Sequence, residues 1–99
     1  MKITAIEDLH ADGGWRTLSF LKITTDTGLI GWSEFSEGSS SPGLGGVIQK
    51  LGQSLLGSDP RQINLIHANL FAVTRIFSGG LIAQAIAALE NACLDLKAK

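Results

Sequence analysis

The sequence predicts an α+β domain, a three-stranded antiparallel meander followed by three helices. Two observations carry this. Up to Phe35, apolar residues recur at about every second position, in runs separated by Gly- and Asp-containing links. From Val47 onward the apolar period changes to about 3.6 residues, the period of a helix with one buried side. The length agrees: 99 residues make one domain, and such a chain buries roughly 60–70% of its unfolded surface.

The first strand is expected over residues 2–9, with Ile3, Ala5, Glu7 and Leu9 on one face and Lys2, Thr4, Ile6 and Asp8 on the other. HADGGW, residues 10–15, reads as a loop, because Asp12, Gly13 and Gly14 favour turns. Residues 16–24 form the second strand, carrying Leu18, Phe20, Leu21 and Ile23. TDTG, residues 25–28, is a hairpin turn in which Gly28 takes positive φ without steric cost. Residues 29–35 complete the meander, and short links between consecutive strands make it antiparallel.

The next segment, SEGSSSPG, offers nothing to a core. Beyond it Val47, Ile48, Leu51, Leu55 and Leu56 form a helical stripe that Gly57 ends. SDPRQ opens a second helix, with Ser58 or Asp59 as cap and Pro60 in the first turn. Its apolar side runs through Ile63, Ile66, Leu70, Phe71 and Val73 or Thr74. FSGG breaks the chain, and a last helix over residues 81–96 carries Ile82, Ala85, Ile86, Leu89, Cys93 and Leu96 on one side. Its opposite side holds Ala83, Ala87, Ala88, Ala92 and Leu94, so this helix is expected to be buried on more than one side.

Composition narrows the function. The net charge of −1 includes no basic stripe, which argues against a nucleic-acid partner. The lone cysteine excludes an internal disulfide and suits a reducing compartment. No apolar run approaches the roughly 20 residues of a membrane span. MKITAIEDLH carries acids where a secretion signal needs an apolar stretch. The expectation is a cytoplasmic protein. Only 17% of residues are charged and the mean hydropathy is +0.24, whereas about 25% charged is typical. Such a surface is suited to lying against more protein.

The chain shows no convergent catalytic set. His10 and His67 stand in no metal-ligand spacing, and Cys93 lies on an alanine-rich helix face where a thiol is a small hydrophobe. Glu34 and Glu37 are three apart, but Glu37 falls in a loop and fixes no pair. GLGG, residues 43–46, opens a helix and presents free N–H groups to an anion, without the Lys-Ser/Thr of a P-loop. No catalytic and no metal-ligating residue is assigned.

MKIT, TDTGLIGWSEF, GSDPRQIN and IAALENACLDLKAK, in this order, resemble the N-terminal capping domain of the mandelate racemase/muconate lactonizing enzyme group in the enolase superfamily. The likeness spans essentially the whole chain. TDTGLIGWSE resembles the family's T-x-x-G-x-x-G-W-G-E, and ALENACLDLKAK its closing helix motif, while Gly57, Asp59 and Pro60 match G-x-D-P. Ser33 stands where glycine is usual, and Cys93-Leu94 where Leu-Trp is common.

The resemblance implies an enolase N-terminal-domain-like fold in which residues 1–99 are one capping domain, inert alone. The catalytic barrel is expected after residue 99. By the same likeness the acids, bases and Mg²⁺ of the superfamily's chemistry, in which a Lys or His base removes a proton and Mg²⁺ stabilises the ene-diolate, belong to that barrel. The parent enzyme would be a sugar-acid dehydratase, racemase or cycloisomerase. Its partners would be the barrel, a small carboxylic-acid substrate and further copies in a homo-oligomer.

Two loops of such a domain close over the barrel mouth and touch the far end of the substrate. Here they are residues 10–15 and 36–42, with Asp12, Gly13, Gly14, Trp15, Ser36, Glu37, Gly38 and Ser39 as the substrate-contacting candidates. A mobile lid must be soluble when open and adaptable when closed, and Gly and Ser supply both. A simple strand-to-helix connector is the plainer account of the second loop. Trp15 is either an apolar wall of the substrate pocket or a strand-edge packing residue. Trp32 and Glu34 lie on the strand, where core packing and a strand-end hydrogen bond are expected. The rival to the whole reading is a free-standing α+β module that self-associates through its last helix.

Overall fold

A computed structural model of the chain describes residues 1–12, 14, 17–36, 43–74 and 80–99. Strands β1 (Ile3–Asp12), β2 (Thr17–Thr25) and β3 (Ile30–Phe35) form one sheet in the order β1-β2-β3, all pairs antiparallel. Helices α1 (Leu44–Gly52), α2 (Ile63–Thr74) and α3 (Gly80–Ala98) follow, with a 3-10 turn, Gln53–Leu55, closing α1. The α+β meander-then-helices arrangement is the expected one. The break at 77–79 and the loop residues 37–42 lie outside the described residues.

The β2–β3 turn is as anticipated. Gly28 has φ 87° and donates its N–H to the Thr25 carbonyl at 3.1 Å, while Thr25 N–H reaches Leu29 O at 3.1 Å. Strand β1 departs from expectation twice. It runs three residues further, so His10, Ala11 and Asp12 are strand rather than loop. Its facing also changes, because Ile3 opposes Thr25 while Ala5 opposes Thr24. Thr4 is the extra residue of a bulge, which reverses the alternation beyond it. Ile3 and Ile6 are therefore both buried, and Leu9, expected beside Ile3, is exposed.

The inner sheet face, Ile6, Leu21, Ile23, Gly31 and Phe35, meets α1 and α3. Leu44, Ile48, Leu51 and Leu55 come from the α1 segment, Ile66 and Leu70 from α2, and Ala85, Leu89, Ala92, Cys93 and Leu96 from α3. Helix α3 packs on β3 and β2 on one side and on α1 and α2 on another, so its all-round apolar character is largely used within the domain. Ala88 and Ala92, assigned to its opposite side, are buried; Ala83, Ala87 and Leu94 are exposed.

Three further expectations need correction. Trp32 is 42% exposed on the outer sheet face, with Lys22 Nζ 5.7 Å from its ring, because the inner positions of β3 are Gly31, Ser33 and Phe35. Phe71 and Leu56 are exposed, since the inward line of α2 runs Ile66, Leu70, Thr74 and the α1 segment tightens into a 3-10 turn before Leu56. Asp59 does not cap α2, which begins at Ile63. It caps the preceding turn instead, accepting Arg61 N–H at 2.9 Å and the Arg61 guanidinium at 2.9 Å.

Candidate functional site

In an antiparallel meander the first and third strands end on the same side. The Asp12–Thr17 pair closes the β1–β2 hairpin, and Phe35, the last residue of β3, lies opposite Ser19 of β2. Both candidate loops therefore leave from one end of the sheet. Gly14, with φ 90°, and Ser36 are exposed there, and Asp12 is the final strand residue of β1. Gly13, Trp15, Glu37, Gly38 and Ser39 lie outside the described residues.

Beneath this end runs a chain of polar side chains absent from the sequence-derived site. Asp8 and His10, two apart on β1, share the inner face because of the bulge. His10 Nε2 lies 2.7 Å from Asp8 Oδ2 and His10 Nδ1 2.9 Å from Ser19 Oγ. Gln49 of α1 donates to Asp8 Oδ1 at 2.7 Å. The His10 bond, then that from Gln49, hold the Asp8 carboxyl below its ordinary range against the opposing effect of burial. His10 also meets Phe35 edge-on, ring centres 6.1 Å apart at 87°. A strand spacing of two, Asp-x-His, is the signal the sequence offers, but the loop expected over residues 10–15 takes His10 off the strand.

The three side chains have the connectivity of an Asp-His-Ser relay, yet Ser19 is only 1% exposed. A hydroxyl so enclosed is a structural donor and not an accessible nucleophile. Cys93 is likewise inert: burial, with Glu90 adding, pushes its thiol up to about 12. His67 pairs with Glu90 across α2 and α3 at the surface. Among the described residues no three His, Cys, Asp or Glu side chains converge on a metal position. The Mg²⁺ implied by the family resemblance thus finds no fitting donor set there. Beside Ser36 an open cleft of about 340 Å³ is lined by Glu34, Phe35, Leu44, Gln84 and Asn91, among others.

Residues 12–99 match the profile of the mandelate racemase / muconate lactonizing enzyme N-terminal domain. The chain belongs to this family. It is 31% identical over all of its length to the D-galactonate dehydratase of Xanthomonas euvesicatoria pv. vesicatoria, spanning 25% of that protein. A crystal structure of a proposed L-alanine-DL-glutamate epimerase from Burkholderia xenovorans LB400 superposes with a TM-score of 0.94 at 43% identity, over 99% of this chain and 25% of that one. A second structure of that epimerase holds magnesium and fumarate. A proposed galactarate dehydratase from Agrobacterium radiobacter gives 0.85 at 30% identity, over 99% of this chain and 25% of that one, and holds sodium and L-malate. The chain thus spans about a quarter of the length of these relatives.

The residues carrying the family likeness have structural tasks. A Cβ on Gly31 would meet Ala92 O at 2.5 Å and Leu96 Cγ at 2.6 Å, so glycine is what lets α3 lie on β3. Asp95 Oδ2 accepts the Trp32 N–H at 2.9 Å, and Lys99 donates to Ile30 O at 2.6 Å while pairing with Asp95 at 3.1 Å. These side chains satisfy the open edge of β3, which an unprotected sheet would expose. Ser33, where the family usually has glycine, adds a bond from its hydroxyl to Ala88 O at 2.8 Å. The motif helix is thus a clasp on the strand that carries the second loop.

Proposed function

We infer that this chain is the specificity cap of an enolase-superfamily enzyme that abstracts a proton next to a carboxylate, and that it is not catalytic alone. The observation that carries the reading is the common origin of the two loops: the Asp12–Thr17 pair and Phe35, the strand residues that flank them, lie at one end of the sheet. Two loops rooted together are suited to covering one ligand, excluding water and touching its far end. The relatives named for D-galactonate dehydration and, as a proposal, for L-alanine-DL-glutamate epimerisation support a small carboxylic acid as substrate class. Proton removal and the Mg²⁺ that the superfamily's chemistry supplies are assigned to the barrel, which this chain's residues would cap. Leu65, Phe71 and Leu94, exposed on α2 and α3, support further protein contacts, including other copies in an oligomer. The thiol of Cys93 is free and buried, and no helix among the described residues is long and apolar enough to cross a membrane; these suit the cytoplasm.

The test uses the enzyme in which this domain is joined to its barrel. A Trp15→Ala variant and one shortened within residues 36–41 are assayed for kcat/KM on a panel of sugar acids and other small acids. If Trp15 forms an apolar wall, its loss removes a contact worth about 1.5–3 kcal/mol when fully buried. Such a contact, equal in ground and transition states, raises KM more than it lowers kcat. The order of preference among acids should change. A single common factor on every acid refutes the lid.

A further inference from the structure

His10 stands where the roots of both loops meet, and we propose that it is the positioning residue that couples them. It lies on β1 two residues before the hairpin closes at Asp12–Thr17, and its Nδ1 bonds Ser19, two residues after that closure on β2. Its ring packs perpendicular to that of Phe35, the last strand residue before the second loop. Through Asp8 it reaches Gln49 on α1, the helix into which the second loop leads. One imidazole therefore touches, directly or through one carboxylate, the elements at both ends of both loops.

The proton arrangement is determined by the partners. Asp8, held ionised by its donors, only accepts, so Nε2–H must donate to it. In the neutral imidazole Nδ1 then accepts, and the enclosed Ser19 hydroxyl donates to it. The second ring nitrogen thereby fixes the ring plane, and the plane sets the contact with Phe35. Displacing one loop root moves the ring and is felt at the other. Among the described residues these contacts bring no titratable group other than Asp8 to the ring, since β2 contributes Ser19, β3 Phe35 and α1 Gln49.

The coupling rests on the lid reading for its use in catalysis, but not for its detection. In the full-length protein, amide hydrogen exchange is followed at residues 10–12 and 17–19 for the hairpin root, and at 33–36 for the β3 root. His10→Ala should speed exchange about 5-fold or more at both roots. His10→Gln keeps a donor for Asp8 but loses both the nitrogen that accepts from Ser19 and the ring that meets Phe35, so exchange should rise at both roots while Gln49 stays bound to Asp8. Side-chain ¹⁵N spectra of the wild type should show the Nε2–H form. Exchange in His10→Ala that rises only at the hairpin root, or a ring found protonated at Nδ1 alone, overturns the proposal. Those results leave the lid reading standing, whereas an unchanged substrate preference in the Trp15 variant removes the lid and leaves the coupling.

Discussion

Adding one methyl group at Gly31 should be among the most damaging small changes in this domain. The new Cβ would sit 2.5 Å from Ala92 O and 2.6 Å from Leu96 Cγ, whereas relaxed contact requires roughly 3.5 Å. Relief demands that α3 retreat from β3 by about 1 Å, because one of the two obstructing groups is helix backbone. At that spot three bonds hold the helix down: Trp32 N–H to Asp95 at 2.9 Å, Ser33 Oγ to Ala88 O at 2.8 Å and Lys99 Nζ to Ile30 O at 2.6 Å. A retreat of that size stretches them past useful hydrogen-bond length. Overpacking alone costs about 1–3 kcal/mol, and each lost bond about 1 kcal/mol. A total of about 4–6 kcal/mol would lower Tm by roughly 16–48 °C, at about 4–8 °C per kcal/mol for a domain of this size. Gly46 supplies the control, since a Cβ there meets nothing within 4 Å and the residue is helical. Gly46→Ala should stabilise by about 0.4–1 kcal/mol. Thermal unfolding followed by circular dichroism decides the matter. A Gly31→Ala protein that melts within about 2 °C of the wild type refutes the claim that this glycine is a packing requirement.

Two further outcomes follow from the titrating groups. The Trp32 N–H, with Lys99 adding, lowers the Asp95 carboxyl, so its contribution to stability is present above the unfolded-state value and is lost as pH falls through the folded-state one. Urea unfolding should show Asp95→Asn less stable than the wild type at pH 7 and the gap narrowing by pH 3; a gap independent of pH counts against the charge-assisted clasp. With its thiol near 12, Cys93 is thiolate to only about one part in ten thousand at pH 8. Iodoacetamide should label it slowly in the native protein and rapidly in urea, and equally fast labelling in both would show that α3 opens readily.

Much of this protein is determined by sequence over short range. The alternation up to Phe35, the turn at Gly28 and the 3.6-residue stripes are local properties, so the elements and their order could be read without coordinates. The family could be read for a related reason, since its motifs sit where turns and close contacts restrict residue choice, as at Gly28 and Gly31. What depended on distant residues could not. An extra residue at Thr4 is defined only by what lies across from it on β2, and it alone sends Ile6 and Asp8 inward and Leu9 outward. Trp32 faces outward because Gly31 is taken by α3, and its N–H is bound by a residue 63 positions away. The Asp8–His10–Ser19 chain closes on Gln49, 41 positions from Asp8. Periodicity reports which side of an element is apolar; which partner occupies that side, and which polar atoms it leaves to be satisfied, is decided only when the elements pack.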